Sequence, residues 1–137
     1  MTTVTYGGGT ADDPWILKTP SLTSEYQAWR DGAALMVQVG TTRLSYRVRA
    51  IDDLHAMLRA RGDWVALGNA DEGKPVTAGS VEAWARAEYN PVGGYYGLRK
   101  GYRGRFANYV TPVLELLGLA ELEHEPRNNR VRARIAA

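Results

Sequence analysis

The side chains best suited to covalent or metal chemistry are scarce in this chain. There is no cysteine among its 137 residues, and the two histidines, His55 and His124, are far apart in sequence. Disulfides, thiolate metal sites and a cysteine nucleophile are therefore excluded, and two distant histidines leave little room for a histidine metal site. No HExxH, G-x-S-x-G or GxxxxGK[ST] pattern occurs. Gly7-Gly8-Gly9 follows no strand, so it does not read as a phosphate loop. Asp12, Asp13, Asp71 and Glu72 fall in turn-like segments, where capping and solvation account for them. Asp52-Asp53 reads as a helix start, because adjacent helical residues point about 100° apart. A position between two lobes, near His55, Asp71, Arg99 and Tyr102, is the one place for a catalytic site, and it carries no motif. The expectation is a non-enzymatic protein with no metal and no cofactor.

The charged residues point instead to binding. Basic residues number 17 against 15 acidic, for a net charge of +2. Residues 1–70 hold seven of each sign, and residues 71–137 hold ten basic and eight acidic ones. Two clusters produce the excess: Arg99, Lys100, Arg103 and Arg105, then Arg127, Arg130, Arg132 and Arg134. Fourteen of the 17 basic residues are arginine, which suits bidentate recognition of phosphate or carboxylate, although a coding bias toward arginine explains the count as well. Residues 95–106 mix cations, glycines and tyrosines, the combination that neutralises phosphates and stacks on bases. Tyrosine and arginine are equally the residues enriched in protein interfaces.

These residues must be held by a scaffold, and its elements are legible from period and punctuation. Residues 1–10 read as a flexible tail. Residues 15–17 suggest a short strand, and Ser24 is placed as the cap of a short helix through Trp29, ended by Asp31-Gly32. Residues 34–39 and 43–49 form a β-hairpin around Gly40-Thr41-Thr42. Residues 51–61 predict a helix with Ile51, Leu54, His55 and Leu58 on its inward face and Gly62 as terminator. Residues 64–67 suggest a third strand. The glycine-rich stretch 68–79 reads as a connection between lobes at 11–67 and 80–137.

In the second lobe, Ser80 caps a helix over 81–88, with Glu82 in its first turn and Trp84 buried. Phe106, Tyr109, Val110, Val113, Leu114 and Leu117 make a helical stripe. Pro112 either kinks that helix or begins a second one capped by Thr111. Gly118 follows as the left-handed terminator, with Leu119 making the accompanying contact. Residues 120–125 and 130–135 alternate and pair across a four-residue turn. That register sets Glu125 against Arg130, Glu123 against Arg132 and Glu121 against Arg134. It sets Ala120, Leu122 and His124 against Ile135, Ala133 and Val131 on the apolar face.

The succession of Leu116-Leu117-Gly118-Leu119, the strand from Ala120-Glu121-Leu122, a polar turn and an arginine-alternating strand resembles the winged helix-turn-helix family over residues 80–135. The resemblance implies a helix that enters the DNA major groove and a wing tip that touches phosphate or the minor groove. Arg103, Arg105, Asn108 and Thr111 would then stand at the recognition helix, and Arg127, Asn128 and Asn129 at the wing tip. The chain as a whole resembles small bacterial proteins with a domain of unknown function.

The expected fold is α+β: an N-terminal hairpin-and-helix lobe packed on a winged-helix-like lobe that ends in a hairpin. The expected role is non-enzymatic binding, with DNA contacted through residues 97–106 and the wing tip. The candidate residues are Arg99, Lys100, Tyr102, Arg103, Arg105, Asn108, Arg127, Asn128 and Asn129. The alternative is a protein-interaction or regulatory module using residues 95–106. No apolar run is long enough to span a membrane and no leader pattern is present, so a cytoplasmic location is expected.

Overall fold

The computed structural model describes residues 6–134. The fold is mixed α+β, with a four-stranded antiparallel sheet, a three-stranded sheet and three helices. The first sheet is a meander of β1 (Trp15–Lys18), β2 (Glu25–Asp31), β3 (Ala34–Val39) and β4 (Thr42–Arg47). Helix α1 (Ala50–Arg61) follows, then β5 (Val65–Ala66), α2 (Val81–Trp84), α3 (Phe106–Leu116), β6 (Ala120–Leu122) and β7 (Arg130–Ala133). The last three strands pair in the order β5-β7-β6.

Residues 6–10 are not a loose tail. The backbone N–H groups of Gly8, Gly9 and Thr10 all donate to the Asp13 carbonyl, and Ile16 N–H donates to the Tyr6 carbonyl. Gly9 has φ +78°, and a Cβ there would sit 2.3 Å from the Trp15 ring, so the glycine run is a built turn. Residues 1–5 of the expected tail lie outside the described residues.

The largest correction concerns Glu25–Asp31, which is a strand and not a helix. Tyr26 and Ala28 alternate with exposed Glu25 and Gln27, and β1 and β3 pair with it on either side. Long-range pairing overrides a local pattern too short to decide between periods. The β3–β4 hairpin has the expected faces, with Val39 opposite Thr42 across Gly40-Thr41.

Helix α1 buries Ile51, Leu54 and Leu58 and ends at left-handed Gly62, as its spacing predicts. Helix α3 is continuous through Pro112. Thr111 caps no second helix: its hydroxyl donates back to the Ala107 carbonyl at 2.6 Å. Gly118 is left-handed, and Leu119 N–H returns to the Leu114 carbonyl.

The final hairpin keeps the expected faces and shifts its register by two residues. Glu121 lies opposite Arg132, and Leu122 opposite Val131. Glu123 pairs with Arg130 and Glu121 with Arg132, while Glu125 and Arg134 make neither expected pair. The cause is a longer turn. The Asn129 side chain accepts from Glu125 N–H at 2.6 Å and donates to the Glu125 carbonyl at 2.9 Å, closing a loop that begins at His124. A two-residue slip preserves parity, so the side chains of the paired residues 120–122 and 131–133 stay on their faces. Ile135 lies outside the described residues.

One hydrophobic core runs through both expected lobes, from Trp15 and Tyr26 through Leu54 to Val113 and Val131. Tyr26, on the first sheet, donates its hydroxyl to the Tyr109 carbonyl in α3 at 2.8 Å and meets the Tyr109 ring edge-on. Helix α3 is the common pillar: Phe106, Ala107 and every residue from Tyr109 to Leu114 are buried.

Candidate functional site

Helix α3 begins at Arg105, which is left-handed (φ 58°) and offers no side-chain cap. The cap comes from a different helix. Ser80 Oγ accepts from Ala83 N–H and fixes the first turn of α2, which directs Glu82 inward. The Glu82 carboxylate, 1% exposed, accepts from Phe106 N–H at 3.2 Å, Ala107 N–H at 3.0 Å and Arg86 Nη2 at 3.1 Å. Burial pushes its pKa up, and those three donors oppose the rise. Arg86 also donates to the carbonyls of Ala70, Asp71 and Lys74. The glycine-rich stretch 68–79 is thus a strap bound to the core, not a free connection.

The strap latches the basic loop. Both Glu72 oxygens are engaged: they accept from Gly101 N–H at 2.9 Å, Arg103 N–H at 2.9 Å and Arg103 Nε at 2.7 Å. The Arg103 side-chain bond, with the two backbone donors, holds the Glu72 carboxyl at about 2 against burial. Arg105 pairs with Asp71, and its N–H donates to the Ala70 carbonyl at 2.8 Å. Gly104 makes this approach possible, since a Cβ there would lie 2.2 Å from Glu72 N. The loop also closes the edge of β4: Arg47 N–H donates to the Tyr96 carbonyl and Leu98 N–H to the Ser45 carbonyl.

Arg103 and Arg105 are therefore both paired with carboxylates, Arg103 partly buried and Arg105 at the surface. The loop also exposes Leu98 at 47%, Arg99, Lys100 and Tyr102 at 42%. The Arg99 guanidinium lies 4.0 Å from the Tyr102 ring centroid, a cation–π contact that pre-orders both side chains. Beside them a groove of about 350 Å³ is lined by Val39, Leu44, Tyr109 and Tyr102 together with Asp71, Glu72 and Arg105.

The other candidates gather elsewhere. Asn108 from α3 and Arg127, Asn128 and Asn129 from the β6–β7 turn line a cleft of about 540 Å³ with Asn69 and Thr77 of the strap. No residue lines both this cleft and the groove beside Tyr102. The nine expected residues thus fall in two separate places. The positions that the winged-helix resemblance assigns to a recognition helix do not share one face: Thr111 is fully buried, Arg103 is paired with Glu72, Arg105 is paired with Asp71 and lines the groove beside Tyr102, and Asn108 lines the other cleft. His55 is likewise separated from Asp71, Arg99 and Tyr102. It lines a groove with Arg59, Glu121 and Arg134.

The chain belongs to the family of unknown function DUF6855. The family model matches residues 7–134, which spans the glycine turn, the strap, the basic loop and the final hairpin. No curated protein and no solved structure matches the chain. Among the described residues, no helix is long and apolar enough to cross a membrane.

Two further features of this DUF6855 chain escape sequence reading. Helix α2 ends at Trp84, short of the expected residue 88, yet Glu82 and Arg86, four apart, still pair; the spacing allows an ion pair but does not show that it is buried. His124 leaves the apolar face of its hairpin. Its Nδ1 lies 2.9 Å from the Pro20 carbonyl and its Nε2 2.6 Å from Glu115 Oε2. Both partners are acceptors, so the doubly protonated ring satisfies both. Burial disfavours that charge, but the Glu115 and Pro20 bonds outweigh it and the pKa is raised.

Proposed function

We propose that this DUF6855 protein is a non-enzymatic module that binds another protein through residues 95–106. The observation that carries this reading is the neutralisation of Arg103 and Arg105 by Glu72 and Asp71. A phosphate-tracking surface needs several unpaired cations. The loop instead displays a leucine, a tyrosine, an arginine stacked on it and a lysine, and the tyrosine also lines the neighbouring groove with Val39 and Leu44. Such a surface suits a protein partner that offers an apolar side chain with acidic neighbours.

DNA binding is the second reading. Its support is the order helix, strand, helix, helix, hairpin, with the sheet order β5-β7-β6, which is similar to a winged helix, and the tip residues Arg127 and Asn128. The burial of α3 weighs against it.

Photo-crosslinking side chains placed at positions 98, 102 and, as a control, 12 test the proposal. A partner protein captured from both 98 and 102, and bound by the purified chain with loss of affinity on Arg99→Glu, supports it. Identical products from position 12 contradict it. So does saturable oligonucleotide binding, tighter than about 100 μM at low salt, that is lost on replacing Arg99 and Lys100.

A further inference from the structure

We infer that the cleft between the strap and the β6–β7 turn binds a small organic anion, carrying one carboxylate or phosphate beside hydroxyl or amide groups. This site is separate from the loop surface proposed above. Its volume of about 540 Å³ lies within the roughly 300–1,000 Å³ of ligand-binding clefts. Three parts of the chain converge on it: Asn69 from the strap, Asn108 from α3, and Arg127 with Asn128 from the turn. None of these four side chains has a hydrogen-bond or ion-pair partner among the described residues, whereas Arg103, Arg105, Arg130 and Arg132 are all paired with carboxylates.

Charge selects the ligand class. Among the described residues no Asp or Glu lines this cleft, while three other grooves of the molecule each contain a carboxylate, Glu72, Glu115 or Glu121 among them. Arg127 is the single charged side chain on its walls, and a guanidinium fork matches a carboxylate or phosphate in two parallel hydrogen bonds. The three amides each donate and accept, so they complement hydroxyl or amide groups and not a second charge. The walls are also set in place. Asn128 is held left-handed at φ 59°, the Asn129 amide closes the turn through two bonds to Glu125, and Gly68 abuts Ser80 so closely that a Cβ would fall 2.4 Å from its Oγ. Pre-set walls reduce the ordering cost of binding.

The test is a side-chain NMR titration of the intact chain with glucose 6-phosphate, gluconate and glucose. The expected result is saturable shifts of the Asn69, Asn108 and Asn128 amide signals and of Arg127 Nε–H with one of the two anionic probes. Glucose should bind at least about ten-fold more weakly, as loss of a charge-assisted bidentate contact requires. Arg127→Gln should weaken the anion by about 10- to 100-fold with the unfolding midpoint unchanged, and Asn108→Ala should weaken it less. Whichever anionic probe responds identifies the group that Arg127 takes. The inference is overturned by any of three results: no saturation below about 10 mM, equal binding of glucose, or unchanged affinity in Arg127→Gln.

Discussion

Residues 97–105 and residues 124–129 are both polar loops that carry arginine, yet two arginines of the first are paired with carboxylates and, among the described residues, the one arginine of the second is not. In the first, Glu72 and Asp71 reach across from the strap to take Arg103 and Arg105, and the surface that remains is aromatic and aliphatic with two cations. In the second, the adjacent strand arginines pair with Glu121 and Glu123, and Arg127 at the tip is left facing amides. The comparison shows that local density of arginine does not measure available positive charge. Availability is set by acids brought in by the fold.

The largest expected effect breaks the frame that both loops share. Glu82→Ala strands two helix N–H groups and the mostly buried Arg86, and removing one partner of a buried pair costs about 3–5 kcal/mol. Urea unfolding should show that loss, with both loops losing amide-exchange protection together. Gly104→Ala acts on the basic loop alone. Its new methyl meets the Glu72 and Asp71 backbone, and overpacking of this kind costs about 1–3 kcal/mol. Hydrogen exchange at Arg105 N–H should accelerate while the Asn129 turn keeps its protection.

Acid should separate the loops as well. The folded Glu72 carboxyl titrates at about 2, down from its usual 4.5. A depressed folded pKa means the latch contributes its full stability above pH 4.5 and loses it as the pH falls toward 2. The Gly101 and Arg103 N–H signals should therefore hold through pH 4 and move below it, and Glu72→Gln should remove that dependence. The smallest effect is at the opposite end of the pH scale. His124 has a raised folded pKa, so its contribution is complete below 6.5 and is lost as the pH rises through the folded value. Backbone shifts of residues 20–22 should follow the His124 ring titration, and His124→Gln should abolish that coupling.

Sequence periodicity located most of the scaffold because its cause is local. The stripe of α1, the Ser80 cap, the terminators Gly62 and Gly118, and the faces of both hairpins follow from spacing that a single element determines. Strand β2 did not, since Tyr26 and Ala28 satisfy a two-residue period only when β1 and β3 flank them. The hairpin register failed for a related reason: the turn length depends on the Asn129 amide folding back to Glu125. The site divides in the same way. Its residues were legible as types, but Glu72 pairs with Arg103 across 31 positions and Asp71 with Arg105 across 34, and no local pattern announces such a partner. Nothing in the resemblance to a winged helix announced that α3 would be buried along most of its length.

The most direct measurement is the arginine Nε–H spectrum, recorded with and without inorganic phosphate. The expected result is protected Arg103 and Arg105 signals that phosphate leaves in place, and a rapidly exchanging Arg127 signal that phosphate shifts. Arg103 and Arg105 signals that exchange as fast as Arg127 and move with it would contradict the latch, and with it the separation of the two loops.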